Sequence, residues 1–423
     1  MVNHITAAIR DNKKASILAP IFVCVEVLFE VLIPVVMAVL IDKGIDAGDQ
    51  GEILRLGGIL IVMAVCALIF GVLAGGAAAD ASAGLARNLR HDIYHHVQNF
   101  SFANIDKFST AGIVTRLTTD VTNVQNAYQM IIRVAVRAPV MLVFAFAMTV
   151  YISPRLATIY LCAIPILGIG LALIISRVHG LFTQVFDTYD ELNNVVQENL
   201  TGIRVVKSFV REDFEKKKFG TISEKLFRGF LKAERLIILN MPLMQFCVYA
   251  CLLLISWIGA RLVVGGSMTT GALTSMFNYT FQILMSLMML SMVFLQSSRA
   301  MASLKRVNEV MDTRIDLKDD HASHKELQVT EGRVEFRHVD FSYTGSEDEL
   351  VLEDISFTAR PGQTVGIIGS TGSGKTSLVQ MIPRLYDVTK GQVLVDGVDV
   401  REYSLRNLRQ GVGMVLQKNV LFS

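Results

Sequence analysis

Six apolar runs, at residues 17–41, 53–79, 134–152, 156–175, 236–264 and 273–296, constrain this chain more than any other feature. Each holds about 20 residues or more, enough for a helix rising ~1.5 Å per residue to cross a ~30 Å hydrocarbon core. In lipid a backbone must satisfy its own hydrogen bonds, so a run of that length becomes a helix. The composition agrees, with 52% hydrophobic residues, 18% charged residues and a mean hydropathy of +0.46, too apolar for an ordinary soluble domain. The basic residues set the orientation. Arg10, Lys13, Lys14, the stretches 87–137 and 177–235 and the run Lys216–Lys218 fall on one side. The opposite connections, "DKGIDAGDQGE", "SPR" and "VGGSMTT", are nearly free of them. The basic side is therefore read as cytoplasmic, with both termini there and the chain multi-pass in the cytoplasmic (plasma) membrane.

The run after Lys14 carries Pro and Glu and is too long for a cleavable signal. All five cysteines (Cys24, Cys66, Cys162, Cys247, Cys251) lie in apolar stretches and read as small hydrophobes, without disulfide or zinc spacing. A net charge of +2 gives no reason to expect nucleic acid as a partner. After the second and fourth runs the helical pattern continues for dozens of residues, in "GLARNLRHDIYHHVQNF" and "LFTQVFDTYDELNNVVQENLTGIRVVKSF". These are solvated hairpins, or levers that touch something beyond the membrane.

The composition changes after Met311. Residues 1–311 read as the membrane domain, the charged, weakly patterned stretch 312–330 as a linker, and 331–423 as the first part of a nucleotide-binding domain. Alternation in "RVEFRHVDFSY" and "LEDISFTAR" predicts two strands. "TVGIIGSTGSGKTSLVQMI" then holds Gly369-x-x-x-x-Gly374-Lys375-Thr376, the phosphate-loop pattern, with a strand expected at 364–368 and a helix at 375–382. Glycines let the backbone N–H groups of Gly369, Ser370, Thr371, Gly372, Ser373, Gly374, Lys375, Thr376 and Ser377 face phosphate oxygens. Lys375 supplies a cation to the β- and γ-phosphates and the Thr376 hydroxyl a ligand to Mg²⁺, making ATP and Mg²⁺ the expected cofactors.

With these motifs in place, the chain resembles an ATP-binding cassette (ABC) exporter half-transporter of the six-span, multidrug type. "FANIDKFSTAGIVTRLTTDV" and "VVQENLTGIRVVKSFVREDFE" are similar to that family's two intracellular loops. "VDFSY" is similar to its adenine-stacking segment and "VGMVLQKNVLFS" to its glutamine loop. "PRLYDVTKGQVLVDGVDVREYSLRNLR" resembles the stretch after the phosphate loop, with Val388 where the family usually has Pro. The resemblance implies that Tyr343 stacks on adenine and that Gln417 reaches Mg²⁺. It also implies that the turns near 104–107 and 211–214 touch nucleotide domains. A signature loop, a Walker B strand, its Glu and a switch His are expected beyond Ser423, so the chain reads as truncated, with no catalytic residue assigned within it. The expected fold is thus an α-helical polytopic membrane domain, six transmembrane helices with long cytoplasmic extensions, followed by a truncated α/β P-loop nucleotide-binding domain.

The implied function is ATP-driven export of a hydrophobic or amphipathic small molecule, drug- or lipid-like, by a dimer with a second half-transporter among membrane lipids. The alternatives are an ATP-binding partner subunit or fragment that hydrolyses nothing alone, and a membrane-anchored nucleotide sensor. Glu26 and Glu30, one turn apart in the first run, are candidate substrate residues, because intramembrane carboxylates are costly to keep without a role. An interhelical hydrogen-bonding pair, or a pair facing a water-filled cavity, is the other reading. Met285, Met289 and Met292, in a run that also holds Met276 and Met288, suit an adaptable binding wall or plain core filling. Arg133 and Arg137 are read as snorkelling at the start of the third span.

Overall fold

The computed structural model describes residues 3–319, 326–346 and 348–415. The helices are α1 (Asn3–Ile9), α2 (Lys13–Leu40), α3 (Gln50–Gln98), α4 (Phe102–Phe108), α5 (Thr110–Thr115), α6 (Val121–Ile152) and α7 (Pro154–Thr201). They continue as α8 (Ile203–Ser208), α9 (Glu212–Ile237), α10 (Asn240–Val264) and α11 (Thr270–Met311). The remaining elements are β1 (Val334–Phe341), β2 (Leu352–Ala359), α12 (Lys375–Met381), β3 (Lys390–Val395), β4 (Val398–Asp399) and α13 (Leu405–Gly411). Two compact units divide them, one formed by 3–87 with Thr122–Ser303, the other by Asn88–Val121 with the described residues from Leu304 onward.

Among the described residues six helical stretches are long and apolar enough to cross a bilayer. They are His4–Ile45, Gln50–Gln98, Thr110–Ile152, Pro154–Thr201, Glu212–Val264 and Thr270–Phe294. The first five contain 42 to 53 residues each, so they run well past the ~20 that a hydrocarbon core requires. Four of the six expected apolar runs lie within single helices; the first, 17–41, ends one residue past α2 in the π-helical turn Ile41–Ile45, and the fifth, 236–264, is interrupted at 238–239, between α9 and α10.

Between helices in lipid, hydrogen bonds and close packing replace the hydrophobic drive of water. Here α2 and α11 are joined at three levels. Tyr279 Oη donates to Val31 O at 2.7 Å, Ser275 Oγ to Pro34 O, and Gln282 Nε2 to Glu30 O at 3.3 Å. The last bond has a local cause. Pro34 lies inside α2 and has no N–H, so the carbonyl four residues earlier, that of Glu30, loses its helical donor. Tyr160 of α7 is fully buried and binds Met276 O at 2.7 Å and Thr280 Oγ1 at 2.9 Å. Cys247, Cys251 and Met276 pack in this same core, as apolar filling.

The second unit holds a four-stranded antiparallel sheet in the order β2-β1-β3-β4. Phe336 of β1 faces Phe357 of β2 in register, with rings stacked 4.7 Å apart, the kind of cross-strand pair that fixes registration. Buried Phe336, Val339, Phe341, Leu352, Val393 and Val395 form its core with Leu378 and Met381 of α12 and Leu408 of α13. The strand expected at 364–368 is not formed. Residues 363–370 have no regular structure, and Ile368 is 98% exposed. Residues 412–415, with Val412, Met414 and Val415 apolar, are likewise irregular. A strand exists only through a ladder, and no described strand borders either segment. The sheet seen is antiparallel, and neither segment joins it.

Parts of the charged stretch after Met311 are docked within this unit. Thr313 O accepts from His96 Nε2 at 3.0 Å in one tautomer, Asp319 Oδ1 accepts from Leu405 N at 3.0 Å, and Leu317 is buried.

Candidate nucleotide and substrate sites

The phosphate loop runs from Gly369 into α12. Gly372 and Gly374 have φ of +86° and +81°, the left-handed region that side chains avoid. A Cβ at Gly374 would also meet Leu352 Cδ2 at 2.7 Å and Val351 O at 3.1 Å, so this position tolerates only glycine. Gly374 is the N-cap of α12, which directs the first helical N–H groups back toward the loop. Lys375 Nζ donates to Gly369 O at 2.8 Å, to Ser370 O at 2.6 Å and to Ser373 Oγ at 3.3 Å. The ammonium thus lies over the loop's own carbonyls. Thr376 is exposed beside it, and Ser377 is buried.

Tyr343 follows β1 and is 48% exposed, and its Oη lies 2.8 Å from Ser377 Oγ. One face of the site is thereby tied to the segment that leaves β1. Tyr343 packs edge-on against Phe341 and Tyr386, with centroids at 4.8 Å and 5.1 Å. Gln417 lies outside the described residues.

Tyr386 was not singled out from the sequence. Its Oη donates to Asp106 Oδ2 of α4 at 2.8 Å. Burial raises its pKa above the ordinary phenol value, and the neighbouring Asp106 carboxylate raises it further. Helix α4 is built by a capping box: Asn104 N donates to Ser101 Oγ at 3.1 Å and Ser101 N to Asn104 Oδ1 at 3.2 Å. Asn104 Nδ2 then reaches Arg314 O at 3.2 Å and Asp316 Oδ2 at 3.0 Å. The expected turn at 104–107 therefore packs on the sheet domain's own unit. The second expected turn, 211–214, belongs to the other unit, where Phe209, Val210 and Phe214 are exposed.

In the membrane domain Glu26 and Glu30 share a helix face as expected. Arg137 does not snorkel. Its Nη1 donates to Glu26 Oε1 at 2.6 Å and its Nη2 to both oxygens of Glu30 at 2.7 Å. A guanidinium fork matches two carboxylates geometrically, and pairing is cheaper than drawing a lone cation to the interface. Glu26 is 7% exposed, and a Cβ on Gly71 of α3 would come within 2.9 Å of its Oε1, so Gly71 makes room for the carboxylate. Two acids in the first apolar run and one base in the third were the available signal, because such charges seek each other in lipid.

Arg137 also lines a cleft of about 220 Å³ with Met141, Phe281, Gln282, Met285 and Met289. The structure thus brings Met285 and Met289 together beside the charged trio. Met292 is exposed and is not among the lining residues, and Met276 is core.

Six long apolar helices and a glycine-built phosphate loop on one chain define a polytopic membrane protein with a P-loop domain. Comparison with known sequences makes the class specific. The model of the ABC transporter transmembrane region matches residues 16–287, and the ABC transporter model matches residues 352–423. The chain belongs to the ABC transporter family. An uncharacterised ABC transporter ATP-binding protein of Mycobacterium bovis is 35% identical over 399 residues, 94% of this chain and 68% of that protein. YfiB of Bacillus subtilis, also an ABC transporter ATP-binding protein, is 32% identical over 406 residues, 96% and 70% of the two lengths. An ATP-dependent lipid A-core flippase of Aromatoleum aromaticum is 29% identical over 345 residues, 82% and 56%.

Proposed function

We propose that the protein is half of a dimeric ABC exporter that uses ATP to move a hydrophobic or amphipathic, lipid- or drug-like molecule across the cytoplasmic membrane. The observation that carries the proposal is the phosphate loop joined to the six-span domain. Two left-handed glycines, a lysine inside the loop and a helix N-terminus are fitted to a polyphosphate, because each directs a donor or a positive charge inward. ATP held there would take backbone N–H groups of 369–377 and Lys375 on its phosphates, with Thr376 placed for Mg²⁺ and Tyr343 for the adenine. Gln417 is assigned to the metal by resemblance alone. The bound nucleotide supplies the phosphoryl-transfer energy.

The remaining assignments follow the same reading. The membrane domain is 1–311, the linker 312–330 and the nucleotide domain begins at 331, with both termini on the cytoplasmic side to which the positive-inside rule assigns the basic residues. Glu26, Glu30, Met285, Met289 and Met292 are the substrate candidates. Support for all but Met292 comes from the cleft lined by Met285, Met289 and Arg137, which offers flexible apolar walls beside a charged trio. The flippase relative favours a lipid-like cargo. Reconstitution in vesicles with fluorescent lipids and with hydrophobic dyes tests the proposal. ATP-dependent translocation lost in Lys375→Ala is expected, and movement independent of nucleotide would refute it.

A further inference from the structure

Tyr386 stands at a junction within one compact unit. Its hydroxyl holds Asp106 on α4 at 2.8 Å. Its ring meets Phe102 of the same helix at 6.1 Å, Phe341 at 5.7 Å and Tyr343 at 5.1 Å, the last with planes at 87°. Tyr343 in turn reaches Ser377 at 2.8 Å, one residue from Thr376. The segment carrying Tyr386 is itself pinned. Arg384 pairs with Asp387 at 2.7 Å, and Arg409 donates to Pro383 O at 3.2 Å and to Arg384 O at 2.9 Å. A fixed ring edge set at right angles to Tyr343 restricts the rotation of that side chain, since edge-to-face packing favours one relative orientation. A change in the seat of α4 has to break or move the Asp106 bond, and with it that edge.

We propose that Tyr386 is a positioning residue that makes the orientation of Tyr343, and so the hold on the nucleotide base, depend on the docking of α4. The inference rests on the reading of Tyr343 as the adenine platform. Coupling of this kind is reciprocal: base contact at Tyr343 would favour the docked position of α4 by the same factor that docking favours the base. The phosphates are held elsewhere, so only the base-dependent part of affinity responds.

The test compares Mg-ATP with Mg-tripolyphosphate, which has the phosphates and no base, on the protein in lipid nanodiscs. Tyr386→Phe keeps the ring and deletes the bond to Asp106, and Asp106→Ala deletes it from the other side. Each is expected to weaken ATP binding about three- to tenfold, the scale of one buried hydrogen bond, with tripolyphosphate binding unchanged. Asp106→Asn keeps an acceptor oxygen and should restore most of the loss. In a Tyr343→Ala background, Tyr386→Phe should have no further effect. Unchanged ATP affinity in Tyr386→Phe, with Tyr343→Ala still weakened, overturns the inference alone. Equal losses for ATP and tripolyphosphate overturn it as well, by showing a general folding role. Parental ATP affinity in Tyr343→Ala overturns the platform reading and the inference with it.

Discussion

Arg137 donates from both terminal nitrogens to carboxylates on α2, and a substitution there leaves two acids without their cation in a low-dielectric setting. Arg137→Met should therefore destabilise the membrane domain by about 3–5 kcal/mol, the scale of breaking a buried pair by removing one partner. Adding Glu26→Gln should recover part of this, because the second change removes the stranded charge. Thermal unfolding in nanodiscs measures both, and a parental midpoint in Arg137→Met would show that the trio contributes nothing. At the other site, Lys375 holds two loop carbonyls that a bound polyphosphate would replace with its oxygens. Lys375→Ala should lower Mg-ATP affinity by about tenfold or more, since a charge-assisted contact to an anion is lost. Labelled ATP bound as tightly as by the parent would contradict the assignment. Tyr343→Ala should weaken ATP and GTP alike, by about 1–3 kcal/mol, because stacking reads a ring face. A loss confined to one base would indicate an edge contact instead.

Turns and caps carry the argument at the scale of elements. Asp396 sits between β3 and β4 at φ +52°, and its carboxylate accepts from the N–H groups of Thr330, Glu331 and Arg333 at 2.7–3.0 Å. Partial burial works to raise its pKa, but these backbone donors outweigh it and the net shift is downward. A folded pKa below the unfolded one means the stabilisation is complete above the unfolded value, about 3.9, and is lost as pH falls through the folded value. The amides of Thr330, Glu331 and Arg333 should accordingly lose hydrogen-exchange protection below about pH 4. In Asp396→Asn that acid step should vanish, and an unchanged step would assign it to another group. On α4, Ser101→Ala removes one half of the capping box and should cost about 1 kcal/mol of helix stability.

For the molecule as a whole, the division into two units frames the question of how nucleotide chemistry reaches the spans. Helix α4 packs within the unit that holds the phosphate loop, while the tip at 209–214 belongs to the unit of the spans and exposes Phe209, Val210 and Phe214. If that tip engages a nucleotide domain in the assembled transporter, charge reversal at Arg211 or Asp213 should lower transport more than ATP turnover. Nucleotide affinity should stay the same. Transport and ATPase rates falling in proportion would remove the tip from the coupling route.

The six spans, the strands β1 and β2 and the phosphate loop were legible because each is written in residues close together: a ~20-residue apolar run, a two-residue alternation, a fixed spacing of glycines. The acidic face of Glu26 and Glu30 was legible for the same reason, as residues one helical turn apart. What tertiary structure alone decided lies between residues far apart in the chain. The partner of that acidic face is 107 residues away, and the tie from Tyr386 to Asp106 spans 280. Segment 364–368 has the composition of a strand and no neighbour among the described strands, so its local preference is not realised. Side-chain pattern states what a segment can become. Only a neighbour, with its hydrogen bonds and opposite charge, determines whether it does.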